Sequence, residues 1–264
     1  MSAPSTHDNF TLKEEIRAYW SARAESFDLS FGHAIKSDRE LKAFQRLIGD
    51  SFGSQPLDVL DLACGTGEIT RALLSLKHRV TALDFSEAML ERARAKHGKA
   101  ARFRLGDAEH LLDEDESYDA AITRHLVWTL TDPEAALSEW FRVLRPGGRL
   151  LIIDGDWVNR TRWQALVNRF GTWLREKRGA AVHQIDADTH ASITSRFYFK
   201  EGLSRPRLEA MLTAAGFTDI VSADYHQVVR EQQRAAPLHD AIRLASSTRF
   251  ALLARKPADA AVSR

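Results

Sequence analysis

The sequence predicts an α/β protein built on a doubly wound, mostly parallel sheet of seven strands with helices on both faces. Strand-like apolar segments alternate with segments of helical periodicity over residues 57–156, which is typical of a parallel sheet with right-handed crossovers. Two further strand-like segments follow near the end of the chain. The 264 residues are enough to bury a sizeable core without covalent or metal support.

Two amphipathic helices are predicted ahead of the sheet. Apolar residues recur every three or four positions within residues 10–28 and again within 38–49. Gly53 and Pro56 then break the pattern. We expect residues 1–50 to form a helical lid over the domain that follows.

The seven predicted strands share short, strongly apolar sequences bounded by turn residues. They are residues 57–62, 79–85, 101–106, 118–123, 149–154, 217–225 and 248–256. The first is almost unbroken in its apolarity, as a strand buried on both faces should be. Ser86 and Asp132 are favoured N-cap residues ahead of two of the intervening helices, and Pro133 fits the first position of the second one.

Residues 157–205 interrupt the alternation, although much of 160–178 has helical periodicity. A connection of this length inside a compact domain usually has a function. We therefore expect a cap over the site within a main domain of residues 51–257, followed by a flexible tail at 258–264.

Composition and charge disfavour several classes of function. The net charge of +1 gives no strong field for nucleic acid, so no such partner is expected. The single cysteine, Cys64, rules out an internal disulfide framework and a cysteine-rich zinc site, while His183 and His190 have no further ligand at metal spacing. Residues 1–10 do not resemble a signal peptide, and no apolar run reaches about 18 residues, so we expect a cytoplasmic protein without a membrane partner.

The first strand ends in a glycine-rich loop, DLACGTG, that begins at Asp61. Glycines at Gly65 and Gly67 let the backbone approach a ligand, and the N-terminus of the next helix favours a carboxylate there. A dinucleotide fingerprint is an alternative, but it requires a third glycine where this chain has Thr70. A tight turn without a ligand is the third interpretation.

Two later strand ends carry acidic residues that suit a nucleoside. Asp84 ends the second strand about twenty residues after Gly65, where a carboxylate can accept hydrogen bonds from both ribose hydroxyls. Phe85 could pack on an adenine face. Asp107 could accept from an adenine amino group while the backbone of Ala108 contacts the ring edge.

Five motifs in this order and spacing resemble those of class I S-adenosylmethionine-dependent methyltransferases, in the subgroup that includes quinone and other small-molecule methyltransferases. They are VLDLACGTGEIT, LDFSEAML, GDAEHL, SYDAAITRHLVWTLTDPEAAL and RVLRPGGRLLIID. The resemblance covers about residues 57–156 and continues more weakly to 257. It implies a Rossmann-like fold and S-adenosylmethionine as cofactor, with S-adenosylhomocysteine as product.

The resemblance also implies a role for each matching position. Asp61 and the glycine loop would hold the methionine end, Asp84 the ribose and Asp107 the adenine, while Arg124 would line the pocket near the sulfonium. The full predicted cofactor set is Asp61, Gly65, Thr66, Gly67, Asp84, Phe85, Met89, Asp107, Ala108 and Arg124.

His125 is the predicted general base, because it follows a strand at the ligand-binding edge and titrates near neutrality. The predicted substrate-binding residues are aromatic: Tyr19, Trp20, Trp128, Trp157 and Tyr198. Each of these six residues could instead have only a packing role. The expected activity is methyl transfer to a nitrogen or oxygen atom of a small molecule by a monomer or homodimer. An NAD-linked oxidoreductase and a non-catalytic S-adenosylmethionine-binding protein remain as alternatives.

Overall fold

A computed structural model describes residues 6–177 and 187–258. Its centre is a seven-stranded sheet with the order β3-β2-β1-β4-β5-β7-β6, in which only β7 runs antiparallel to its neighbours. The strands are β1 Asp58–Leu62, β2 Arg79–Asp84, β3 Arg102–Leu105, β4 Tyr118–Arg124, β5 Leu144–Asp156, β6 Thr218–Ser222 and β7 Thr248–Arg255. The predicted fold class is therefore confirmed.

The order of the strands reverses between β1 and β4. These two strands are parallel neighbours, with Leu62 opposite Thr123 on one side and opposite Leu83 of β2 on the other. The carboxyl ends of three strands therefore open at one edge of the sheet. Ligands of doubly wound sheets bind in the crevice outside such a reversal.

Ten α-helices lie within the described residues. They are α1 Thr6–Ala22, α2 Asp38–Phe52, α3 Glu68–Ser75, α4 Glu87–His97, α5 Pro133–Val143, α6 Arg162–Lys177, α7 Ala187–Thr194, α8 Arg205–Ala214, α9 His226–Ala235 and α10 Leu238–Ala245. Both predicted N-caps are confirmed, since the Ser86 hydroxyl accepts from the Met89 amide and the Asp132 carboxylate accepts from the Ala135 amide.

Helices cover both faces of the sheet and divide the core into two apolar layers. One layer packs α5 and α8 on the sheet around the fully buried Trp140 and Phe217. The other packs α2, α3 and α9 around Phe44 and Phe52. Burial on both faces explains the almost continuous apolar sequence of β1.

The structure differs from the predicted elements in three places. The first helix begins earlier and ends at Ala22, and the chain then turns through a short 3₁₀ helix at Phe27–Leu29. The fifth strand starts at Leu144, with the predicted turn at 146–148 looped out within it. Helices α9 and α10 have no counterpart in the prediction.

No helix in the described part of the chain is long and apolar enough to cross a membrane. Within the same residues, no three His, Cys, Asp or Glu side chains form a group that could hold a metal ion. His183 and residues 259–264 of the predicted tail lie outside the described residues.

Candidate functional site

A cavity of about 610 Å³ opens at the carboxyl ends of β1, β2 and β4. Small-molecule pockets of proteins typically enclose about 300–1,000 Å³. Its roof is formed by the segment after α1, where the imidazole of His33 stacks on Phe27 with 4.2 Å between ring centroids. Burial, reinforced by Arg124, lowers the pKa of His33 to about 4, so this ring is neutral at physiological pH.

The glycine loop after β1 follows a left-handed path at Ala63, Gly65 and Gly67. Two features favour glycine at position 67. Its φ of 85° is left-handed, and an added Cβ would lie 2.8 Å from the ring of His97. Residues 63–65 line the cavity. Thr66 does not, and its hydroxyl donates to Asp28 at 2.6 Å, so it and Gly67 shape the loop from behind.

Asp61 lies at the floor of the cavity and is 1% exposed. Burial raises the pKa of this carboxyl to about 7, nearby Asp84 raises it further, and Thr70 and Arg124 oppose the shift. The Thr70 hydroxyl donates to Asp61 at 2.6 Å. Within the described residues no cation forms an ion pair with Asp61. The chemistry of this carboxylate therefore suits the ammonium group of a ligand.

Asp84 is held between the glycine loop and the start of α4. One carboxylate oxygen accepts from the Gly65 amide at 2.8 Å, and the other accepts from the Ser86 amide at 2.9 Å. Burial raises the pKa of this carboxyl to about 6, despite these bonds. Each oxygen keeps a lone pair for a further donor, as two ribose hydroxyls would require.

A smaller apolar cavity of about 40 Å³ continues beside Phe85, Asp107 and Ala108, beneath α1. The Asp107 carboxylate accepts from Lys13 at 2.6 Å and from the amide of Glu109 at 2.8 Å. Lys13 also pairs with the buried Glu109 at 2.7 Å. Sequence reasoning missed Lys13 because its only signal was its position on the amphipathic α1.

His125 lines the far side of the main cavity in a left-handed conformation, with φ 61°. Its amide donates to the Ile153 carbonyl at 2.8 Å. Burial lowers the pKa of its imidazole well below the ordinary value, and the charges of Arg124 and Arg249 add to the effect. The ring is therefore neutral at pH 7 and can accept a hydrogen bond.

Trp128 and Trp157 form an aromatic wall beside His125. The Trp157 ring meets His125 edge to face with 5.2 Å between centroids, and the Trp128 indole donates to the His125 carbonyl at 3.0 Å. Asp154, at the end of β5, holds both residues, since it accepts from the Trp157 indole at 3.2 Å and from the Trp128 amide at 3.3 Å. Burial raises the pKa of Asp154 to about 7.

Helices α1 and α7 meet over this edge of the sheet. Leu12 and Ile16 pack against Ile193 and Phe197 in a small apolar cluster. Trp20 reaches from α1 into the lining of the main cavity.

Two predicted substrate-binding tyrosines lie outside the cavity lining. Tyr19 is not part of the lining, because its hydroxyl is bonded to His190 at 2.9 Å and to Arg23 at 2.6 Å. Tyr198 packs beside Phe199 and Arg207, is 39% exposed and lies outside the cavity.

Within the cavity the structure brings together most of the predicted set. The lining includes Trp20, Asp61, Gly65, Asp84, Phe85, Met89, Arg124, His125, Trp128 and Trp157. It also includes side chains that sequence reasoning did not single out: His33, Arg160, His239, Arg243 and Arg249. The lining residues on α10 and β7 belong to none of the recognised sequence motifs. Arg249 reaches the site because β7 pairs antiparallel with β5.

Comparison with known proteins relates this chain to methyltransferases. The family model described as a methyltransferase domain matches residues 60–152. A malonyl-[acyl-carrier protein] O-methyltransferase of Yersinia pestis is 38% identical to this chain over an alignment that covers 53% of this chain and 49% of that relative. The ubiquinone/menaquinone biosynthesis C-methyltransferase UbiE of Rubrivivax gelatinosus is 28% identical over 81% of this chain and 83% of its own.

The fold is shared with a solved structure from Haemonchus contortus, a phosphoethanolamine N-methyltransferase 2 in complex with phosphomonomethylethanolamine and S-adenosylhomocysteine. The two align with a TM-score of 0.62 and 17% identity over 91% of this chain and 60% of the other. By their names, these three proteins are an O-, a C- and an N-methyltransferase, so they share methyl transfer and differ in the acceptor atom.

Proposed function

Since the chain belongs to the class I S-adenosylmethionine-dependent methyltransferases, we propose that it transfers a methyl group from S-adenosylmethionine to a nitrogen or oxygen atom of a small-molecule acceptor. One observation carries the proposal. Asp61 and Asp84 flank the glycine loop as buried carboxylates, neither has a cationic partner among the described residues, and both face a cavity of ligand size.

The donor set fits the cofactor group by group. Asp61 suits the ammonium of its methionine moiety, Asp84 the ribose hydroxyls, and the cavity beside Phe85 and Ala108 the adenine. Asp107, although it is paired with Lys13, still has acceptor capacity for the adenine amino group. When bound, S-adenosylmethionine would supply a sulfonium methyl group, which passes to the acceptor in line as the carbon–sulfur bond breaks and S-adenosylhomocysteine leaves.

The remainder of the cavity is the proposed acceptor half, defined by His125, Trp128, Trp157 and Arg249. The two indole rings form a fixed wall, because Asp154 holds both residues. Such a wall orients the acceptor and excludes water, which is most of what an in-line displacement requires from the protein. Neutral His125 accepts a hydrogen bond from the hydroxyl or amino group that reacts, and takes its proton as the methyl group is transferred.

Helices α1 and α7 act as a lid in this proposal. Their apolar cluster lies next to Phe85 and Trp128, one from each half of the site. The same apolar cluster would therefore cover both the cofactor and the acceptor.

Calorimetry with S-adenosylmethionine, S-adenosylhomocysteine and NADH tests the cofactor. We expect one site for each of the first two and no heat with NADH. Asp84→Ala should weaken S-adenosylhomocysteine about 10- to 150-fold, because hydrogen bonds to a charged group contribute about 1.5–3 kcal/mol. Glu91→Gln, at an exposed position on α4, is the matched control and should bind like wild type.

Turnover is measured separately, as S-adenosylhomocysteine released with a panel of hydroxyl- and amine-bearing acceptors. Binding of NADH in place of S-adenosylmethionine would overturn the proposal in favour of an oxidoreductase. Tight cofactor binding without turnover on any fraction of a metabolite extract would favour a non-catalytic binding protein.

A further inference from the structure

The two halves of the cavity differ in charge. The cofactor half contains the buried carboxylates Asp61 and Asp84. Among the described residues, the titratable side chains that line the acceptor half are cations and imidazoles, apart from one acid. The acid there, Asp240, is already bonded to His239 at 3.3 Å and to Arg243 at 3.5 Å.

Arg249 differs from the other two arginines of this half, because Arg160 is exposed and Arg243 pairs with Asp240. Its guanidinium donates to the Gln232 side-chain oxygen at 2.8 Å, lies beside the Tyr225 phenol and covers the Trp157 ring at 5.5 Å from the centroid. Its Nε is buried and has no hydrogen-bond partner in the described part of the chain. In that part no carboxylate lies within ion-pair distance of it either.

Burial lowers the pKa of the Arg249 guanidinium, and the like charge of Arg124 lowers it further. A buried ion without a counter-ion costs several kcal/mol even after the protein relaxes. A hydrogen bond to the neutral amide of Gln232 offsets only part of that cost. The unbound protein therefore carries a positive charge that an anionic ligand would neutralise.

Within the described residues Arg124 also has an unused hydrogen-bond donor, but it lies between the acceptor half and the cofactor half of the cavity. Its Nη2 donates to the His33 carbonyl, and its buried Nη1 has no hydrogen-bond partner among the residues that the structure describes. The carboxylates of Asp61 and Glu40 act on it from beyond ion-pair distance. The carboxylate of the methionine moiety is a candidate partner for Arg124.

The position of Arg249 separates it from the cofactor. It lies on β7, opposite Gly155 of β5, and three strand positions from β1 in the sheet. At about 4.8 Å per strand the two strands are roughly 14 Å apart across the sheet, and Arg249 lies four residues along β7 from Leu253, the residue level with Asp61. Its ring neighbour Trp157 in turn contacts His125, so its guanidinium faces the same half as the predicted base.

We propose that Arg249 binds an anionic group of the acceptor, a carboxylate or a phosphate. This inference rests on the proposed methyltransferase function, because it assigns the chemistry of the acceptor half. A guanidinium presents paired N–H donors that match the two oxygens of such a group. Trp157 supports the guanidinium from its ring face and prevents it from turning away to solvent.

Calorimetry on protein saturated with S-adenosylhomocysteine tests the proposal, with malonate, inorganic phosphate and neutral dimethyl malonate as probes. Wild type should bind malonate or phosphate and not the ester, and the stronger of the two identifies the anion. Arg249→Gln should weaken that probe at least tenfold, while Arg249→Lys should weaken it less. Arg255→Gln, at an exposed position on the same strand, is the matched control and should bind like wild type.

The affinity for S-adenosylhomocysteine is measured on every variant and should not change. Failure of wild type to bind it would refute the methyltransferase function itself. Normal binding of S-adenosylhomocysteine with equal anion affinity in wild type and Arg249→Gln would overturn the anion site alone, as would equal binding of the neutral ester. If Arg249→Gln fails to fold, the anion affinity of Arg249→Lys is compared with that of the control Arg255→Gln. Equal affinity in these two variants would also overturn the anion site.

Discussion

Affinity for S-adenosylhomocysteine should rise steeply between pH 6.0 and pH 7.5. The pKa of Asp61 is raised to about 7 and that of Asp84 to about 6, and both carboxyls must be ionised to bind their ligand groups. Asp61 is about one tenth ionised at pH 6.0 and about three quarters ionised at pH 7.5, which changes the apparent Kd about eightfold. Asp84 contributes about a further twofold, so the combined change is about sixteenfold.

The direction follows from the sign of the shift. Both pKa values are raised in the folded protein, so each carboxyl binds a proton over a pH range in which the unfolded chain has lost it, and ligand binding expels that proton. The same groups make the unliganded protein less stable as pH rises from about 4 to 7, and the ligand should offset that loss. The ligand's own ammonium stays mainly protonated at both pH values.

Isothermal calorimetry in two buffers of different ionisation enthalpy measures both the Kd and the protons released. At pH 6.0 we expect about 1.4 protons released per ligand bound. Asp61→Asn removes the larger contribution and should reduce the pH effect to about twofold. An unchanged Kd in wild type between these pH values, or a full effect in Asp61→Asn, would refute the assignment of Asp61 to the ammonium group.

Two other predictions concern single residues. His125→Ala should lower kcat while leaving the Kd for S-adenosylhomocysteine nearly unchanged, and full turnover in that variant would remove His125 as the proton acceptor. Gly67→Ala should lower the free energy of unfolding by about 1–3 kcal/mol, because its φ of 85° and the 2.8 Å approach to His97 both disfavour a Cβ. Gly49→Ala on α2, where nothing lies within 4 Å, should instead stabilise by about 0.5–1 kcal/mol, and denaturant unfolding that ranks the two variants the other way would contradict this account.

The cofactor half was predictable from the sequence because its geometry is local. Asp61, Gly65 and Gly67 lie within one strand-to-helix turn, so their spacing along the chain fixes their spacing in space. Asp84 follows because parallel neighbours end at the same edge of the sheet. Thr70, which argued against a dinucleotide fingerprint, proves to donate to Asp61.

The acceptor half was less predictable because it depends on contacts between distant parts of the chain. Arg249 comes to the site only through the antiparallel pairing of β7 with β5, and nothing in its local sequence distinguishes it from Arg255 six residues later. Aromatic residue type alone does not locate the site either, since Trp163 and Trp173 of the long connection are 71% and 51% exposed. Whether a tryptophan is buried or binds a ligand can be inferred only once the fold of the surrounding chain is known.

Burial is the main cause of the lowered pKa of both His125 and Arg249, and the charge of Arg124 lowers both values further. A charged imidazole there would add a third cation beside Arg124 and Arg249, so the protein holds His125 neutral. An anionic acceptor would raise the pKa of His125 on binding, because an opposite charge favours the protonated form. The base would then become strong enough to accept a proton only in the complex that contains the acceptor, which limits proton transfer to the productive complex.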